Sequence, residues 1–197
     1  MRNLPIKSNH RVVSRYPNGM GFSRAKKKIT EEAGLYEYAV GALGRRMRSV
    51  AELKRLLRQR VEADAGGEAL VEAVVARLKE QKYLNDAQYA SAYSSYRRDN
   101  EKFGRLRVIT DLKSRGVQGD VIEKAISGAY GEVNDEQQAR AFLRRKRLQK
   151  PSDQRQAARI YRTLARAGFP SKVIVSILRK WDVDDEVLTA LESEPSP

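Results

Sequence analysis

Residues 108–126 read VITDLKSRGVQGDVIEKAI, and residues 160–178 read IYRTLARAGFPSKVIVSIL. Val108, Leu112, Gly116, Val117, Val121, Ile122 and Ile126 return 52 positions later as Ile160, Leu164, Gly168, Phe169, Val173, Ile174 and Leu178. Every apolar residue returns as an apolar residue, and the glycine returns as glycine. Apolar steps of three and four residues mark helices. A glycine between two such runs suits the left-handed end of a helix. Each stretch therefore reads as helix, turn, helix, and the constant offset makes it one copy of a repeat. Chance agreement between two amphipathic helices would not hold seven positions in one register.

A looser copy precedes these two: Leu53, Leu57 and Val61, an insertion holding Gly66 and Gly67, then Leu70, Val71 and Val75. Each copy follows a further helical run. Candidate helices cover 36–47, 49–60, 67–81, 86–99, 105–115, 118–127, 135–149, 153–167 and 170–180. Ser49 with Glu52 forms a capping-box pattern. Ser152 and Asp153 suit a helix start, and Pro170 suits a first turn. The expected fold is all-α, an elongated array of three tandem three-helix units over 34–84, 85–130 and 131–181. A unit this small buries too little apolar surface alone, so neighbours must pack side by side. Residues 1–33 hold Pro5, Pro17, Gly19, Gly21 and the run Lys26–Lys28 without a sustained apolar period, and read as a flexible basic arm. Residues 182–197 hold Asp182, Asp184, Asp185, Glu186, Glu192 and Glu194 with no basic residue, and read as a solvated acidic tail or a competitor for basic groups.

The 197 residues carry a net charge of +14, and the excess is uneven. Residues 1–60 hold 15 basic and 4 acidic side chains, whereas the remainder hold 24 and 21. Such a surplus attracts polyanions by counterion release, so nucleic acid, an anionic membrane or an acidic protein face is the expected partner class. No apolar run reaches membrane-spanning length. Cysteine is absent, which removes disulfides and thiolate metal sites and suits the cytoplasm. His10 is the only histidine, so a Ser-His-Asp triad inside the folded part is excluded. No glycine-rich phosphate loop is present. The acidic tail matches no cation-loop spacing. The chain is expected to be a binding protein without catalytic residues, metal or cofactor.

Tyr83-Leu84-Asn85-Asp86, followed by Tyr89, Ala90 and Tyr93, resembles a segment of the RecX family, bacterial regulators of the RecA recombinase. Gly104, Arg105, Arg107, Ile109, Leu112, Lys113, Gly116 and Val117 are similar to its next segment. Ala39, Leu43, Arg45, Arg46, Ser49, Glu52 and Leu53 match its first unit. The resemblance covers about residues 36–181. Asp111 stands where that family usually has Glu, Arg115 where Lys is common, and the basic arm is longer than usual. The resemblance implies binding along the RecA–DNA filament, restraint of strand exchange and repressor co-cleavage in DNA repair and the SOS response, and affinity for bare single- and double-stranded DNA. It also gives Tyr83, Leu84, Asp86, Gly104, Leu112 and Gly116 a structural role.

The residues expected to meet DNA or RecA are basic and helical. Arg155, Arg159, Arg162 and Arg166, spaced 4, 3 and 4, form one stripe, with Ile160, Leu164 and Ala167 falling away from it. Arg140, Arg144 and Arg147 repeat the spacing on the preceding helix. The first unit offers Arg45, Arg46, Arg48, Lys54 and Arg58, and the middle unit Arg97, Arg98, Arg105, Arg107, Lys113 and Arg115. Guanidinium groups at helical pitch can meet successive phosphates, or carboxylates on a protein face. Each stripe taken singly also fits a solvated helix face. Tyr89, Tyr93 and Tyr96 share a face that suits core packing better than base stacking. A monomer is expected. A sequence-nonspecific or helix-turn-helix-like DNA-binding protein independent of RecA is the alternative.

Overall fold

The computed structural model describes residues 28–193, which form ten helices and no strand. In the first unit lie α1 (Glu32–Arg45), α2 (Val50–Arg58) and α3 (Ala65–Glu80). The second holds α4 (Asp86–Asp99), α5 (Arg105–Ser114) and α6 (Gly119–Tyr130), and the third α7 (Asp135–Arg145), α8 (Gln154–Arg166), α9 (Ser171–Arg179) and α10 (Asp185–Ser193). Five helices start on a side chain that satisfies otherwise unpaired N–H groups. Ser49 and Glu52 close the full capping box on α2. Asp64, Asn85, Asn134 and Asp153 cap α3, α4, α7 and α8.

The extensive helix–helix packing all lies within units. Leu35, Leu53, Leu57, Val71, Val74 and Leu78 form the first core. Tyr89, Ala90, Val108, Leu112, Val117 and Ile122 form the second, where Ala125 and Ala129 let α6 approach α4 closely. Phe142, Leu143, Ile160, Leu164, Phe169, Ile174, Ile177 and Leu178 form the third. Six of the seven repeated position pairs lie in the second and third cores or pack against them, and the seventh is the glycine pair.

Units join through helix ends rather than helix flanks, and the joint is itself repeated. Ser49, the N-cap of α2, donates its hydroxyl to the Arg115 carbonyl (2.6 Å), just before Gly116. Gly104, the N-cap of α5, donates its N–H to the Ala167 carbonyl (2.9 Å), just before Gly168. In the first unit the matching carbonyl, Arg60, accepts the Ile29 N–H (2.7 Å), while Lys28 Nζ donates to the Val61 carbonyl (2.6 Å). The chain's own leading segment thus takes the seat that a preceding unit would take. Asp86 adds to the first seam by accepting from the Val50 N–H (2.8 Å). Phe103 packs against both the second and third cores and lies 5.9 Å from the Phe142 ring.

The largest departures from the sequence reading fall at three places. Helix α1 starts at Glu32, four residues early. Helix α7 ends at Arg145, because Arg147 turns left-handed (φ 55°) and Leu148 N–H returns to the Leu143 carbonyl. The acidic segment is not wholly a solvated tail, since residues 185–193 are helical and bury Leu188 and Leu191 in the third core. Of the basic arm, residues 1–27 lie outside the described residues, as do 194–197 of the tail.

Candidate nucleic-acid interface

Helix α8 is the most strongly amphipathic basic element. Ala157, Ile160, Tyr161 and Leu164 are buried on one side, and Arg155, Arg159, Arg162 and Arg166 are exposed on the other. At 100° per residue the four arginines fall within about 60° of arc. Among the described residues no carboxylate pairs with Arg155, Arg159 or Arg166. Those three arginines therefore present charge that no described carboxylate neutralises.

Helix α7 contributes less than its spacing suggests. Arg140 bonds Glu136, which also takes Lys180, just past the end of α9 (2.8 Å). Those two cations hold the Glu136 carboxyl below the usual carboxylate range, Lys180 through the larger effect. Arg144 is exposed on α7, but Arg147 lies beyond the helix and leaves the stripe. Arg145, which the spacing did not single out, reaches Glu101 of the middle unit (3.4 Å).

The middle unit's arginines are mostly committed inside the fold. Asp111, little exposed, accepts from Tyr93 (2.9 Å), Arg97 (2.7 Å) and Arg107 (3.0 Å). Burial, then the bond to Asp111, pushes the Tyr93 phenol up, so it stays a neutral donor. Arg97 and Arg115 lie 5.2 and 4.8 Å from the Tyr93 ring centroid, and Tyr89 stacks beside it at 5.9 Å. These contacts make Tyr89 and Tyr93 structural, whereas Tyr83 and Tyr96 are exposed. Arg98 is held by Asp99 (2.7 Å) and the Ala129 carbonyl (2.5 Å). Arg105 pairs with Asp135 across the second seam, and Arg115 with Glu52 (2.6 Å) across the first. Lys113 is exposed on α5.

In the first unit Lys54 pairs with Glu72 (2.5 Å) and Arg58 with Glu68 (2.5 Å). Both pairs are solvent-exposed, and such pairs contribute about 0–1 kcal/mol, so a phosphate can replace the carboxylate at small cost. The Asp111 cluster differs: removing a cation there strands a shielded carboxylate. Arg45 and Arg46 are exposed at the end of α1. Arg46, Arg48, Arg55 and Arg115 line an open cleft of about 510 Å³ at the first seam. Arg55 is not among the residues singled out by spacing; only the folded seam shows that it shares a wall with Arg48 and Arg115.

Of the six family-motif residues, Tyr83 is exposed, and the other five sit in cores or at seams. Leu84 is buried in the first core, Asp86 bonds across the first seam, and Leu112 is buried in the second core. Gly104 and Gly116 lie where backbones meet: a Cβ at Gly104 would stand 2.2 Å from the Gly168 carbonyl oxygen, and one at Gly116 2.5 Å from Ala51 Cβ. No group of three or more His, Cys, Asp or Glu side chains among the described residues could hold a metal ion. No described helix is long and apolar enough to cross a membrane.

Known proteins resemble this chain in sequence and in architecture. Residues 85–126 match the model of the second three-helix domain of RecX. A regulatory protein RecX from Deinococcus radiodurans is 36% identical over 185 residues, covering 90% of this chain and 85% of its own length. Another from Pseudomonas putida is 34% identical over 148 residues, covering 75% of this chain and 90% of its own. A crystal structure of RecX from Lactobacillus salivarius superposes with a TM-score of 0.58 at 19% identity, covering 77% of this chain and 96% of that one. The likeness at that identity concerns the fold, whereas the two relatives settle the lineage: the chain belongs to the RecX family.

Proposed function

We propose that this chain restrains a RecA recombinase by binding along its DNA filament, with the α8 arginines providing much of the electrostatic attraction. The observation that carries this reading is a row of four exposed arginines on one arc of α8, in a chain whose relatives are named regulatory protein RecX. It acts by occupancy, without chemistry of its own. An array of units lies against neighbouring filament subunits and the bound strand, and so obstructs a second duplex or ends filament growth. Repair, recombination and the SOS response are then damped. Single- and double-stranded DNA attract the same faces through phosphate contacts, which carry little sequence information. The working form is a cytoplasmic monomer.

Strand exchange by the cognate recombinase, with this protein titrated in, tests the reading. Progressive inhibition is expected, together with cosedimentation with filaments. Unimpaired exchange at saturating protein would refute it. Nanomolar binding to one particular duplex, with no effect on recombinase, would instead favour a RecA-independent DNA-binding protein.

A further inference from the structure

Helix α10 runs beside the basic face of α8. Leu188 and Leu191 anchor it in the third core. Its flank and that of α8 enclose an open groove of about 490 Å³, lined on one side by Arg155, Ala158 and Arg162 and on the other by Glu186, Ala190 and Leu191. The helical wheel makes the asymmetry plain. Taking Arg155 as zero, Arg162 and Ala158 lie about 20° and 60° to one side, the side that α10 occupies, while Arg166 and Arg159 lie about 20° and 40° to the other. Residues 182–193 carry five acidic side chains and no basic one. Two of them are engaged elsewhere: Asp182 with Lys150 (2.6 Å) and Asp185 with Arg179 (2.9 Å). Glu186 stays on the groove wall, and Asp184 lines the adjoining cleft at the start of α8, beside Asp153 and Gln154.

We infer that α10 is a built-in competitor for polyanion: its carboxylates repel phosphate from the Arg155–Arg162 edge and leave Arg159 and Arg166 as the open edge. The inference rests on the proposed role of α8. An anion approaching the stripe meets opposite fields from its two sides, and the acidic side is fixed in place by buried leucines. Neutralising that side opens the Arg155 edge to phosphate beside Arg159 and Arg166. The contact sets a ceiling on affinity, which suits a protein that must leave its filament.

The test uses the full chain with Asp184→Asn and Glu186→Gln together, chosen because Asn still suits a helix start and neither side chain is buried. A control pair, Asp120→Asn with Glu123→Gln, makes the same charge change on α6, which packs against α4 and α5. Binding of a fluorescent single-stranded oligonucleotide is followed across a salt series, and thermal melting verifies the fold. The α10 pair is expected to bind about five-fold more tightly, with a salt slope steeper by about one. The control pair should change affinity less than two-fold. Equal tightening by both pairs, or none by the α10 pair, overturns the inference. Arg159→Ala with Arg166→Ala, run alongside, separates the two levels. If those substitutions weaken binding while the α10 pair leaves it unchanged, the competitor fails and the α8 reading stands. If the unaltered protein does not bind at all, the α8 reading fails and the competitor falls with it.

Discussion

Gly168 shows how much one residue governs here. Its backbone is left-handed (φ 88°), and a Cβ would stand 2.2 Å from the Arg107 backbone nitrogen. Strain and collision act together, so Gly168→Ala should lose about 2 kcal/mol or more in urea unfolding. An unchanged midpoint would contradict the seam as described. Gly116 occupies the equivalent place, yet its nearest obstacle is the Ala51 side chain rather than backbone. Both glycines were legible because left-handed helix ends select glycine. The partners of the arginines were not. Glu52 meets Arg115 from 63 positions away, and Asp111 gathers three donors from two helices. Local spacing carries no information about such pairings, so candidates chosen by helical pitch mixed exposed cations with structural ones.

Among the helices, α8 kept the pattern its spacing gave because its buried residues and its arginines occupy opposite arcs. Replacing Arg159 and Arg166 with alanine leaves that core intact and removes two prospective phosphate contacts. Oligonucleotide affinity should fall and the log–log salt slope should flatten by about two. A slope equal to that of the unaltered protein would mean that α8 does not meet DNA. Helix α7 misled because Lys146 and Arg147 continued its basic pattern past its true end, and nothing local marks a left-handed arginine. Helix α10 was hidden for the opposite reason: its acidic residues dominate the composition, while only Leu188 and Leu191 reveal a buried side.

The molecule as a whole is a set of small cores whose helices pack almost entirely within their own unit. The repeat was legible because apolar register survives divergence, but the seams were not, since they run through backbone carbonyls that any residue supplies. Cut out alone, residues 85–130 lose both seams and the Phe103–Phe142 contact. That fragment should show no cooperative thermal transition by circular dichroism, whereas residues 85–193 should melt cooperatively. A sharp transition in the short fragment would show that each unit is self-sufficient. The recurring carbonyl seat has one further implication. Since Arg60, Arg115 and Ala167 all accept from whatever lies before them, reach is a modular quantity. Copying the middle module in tandem would lengthen the protein by one step while every junction kept a familiar neighbour, so evolution or an engineer could adjust its span without redesigning a single core.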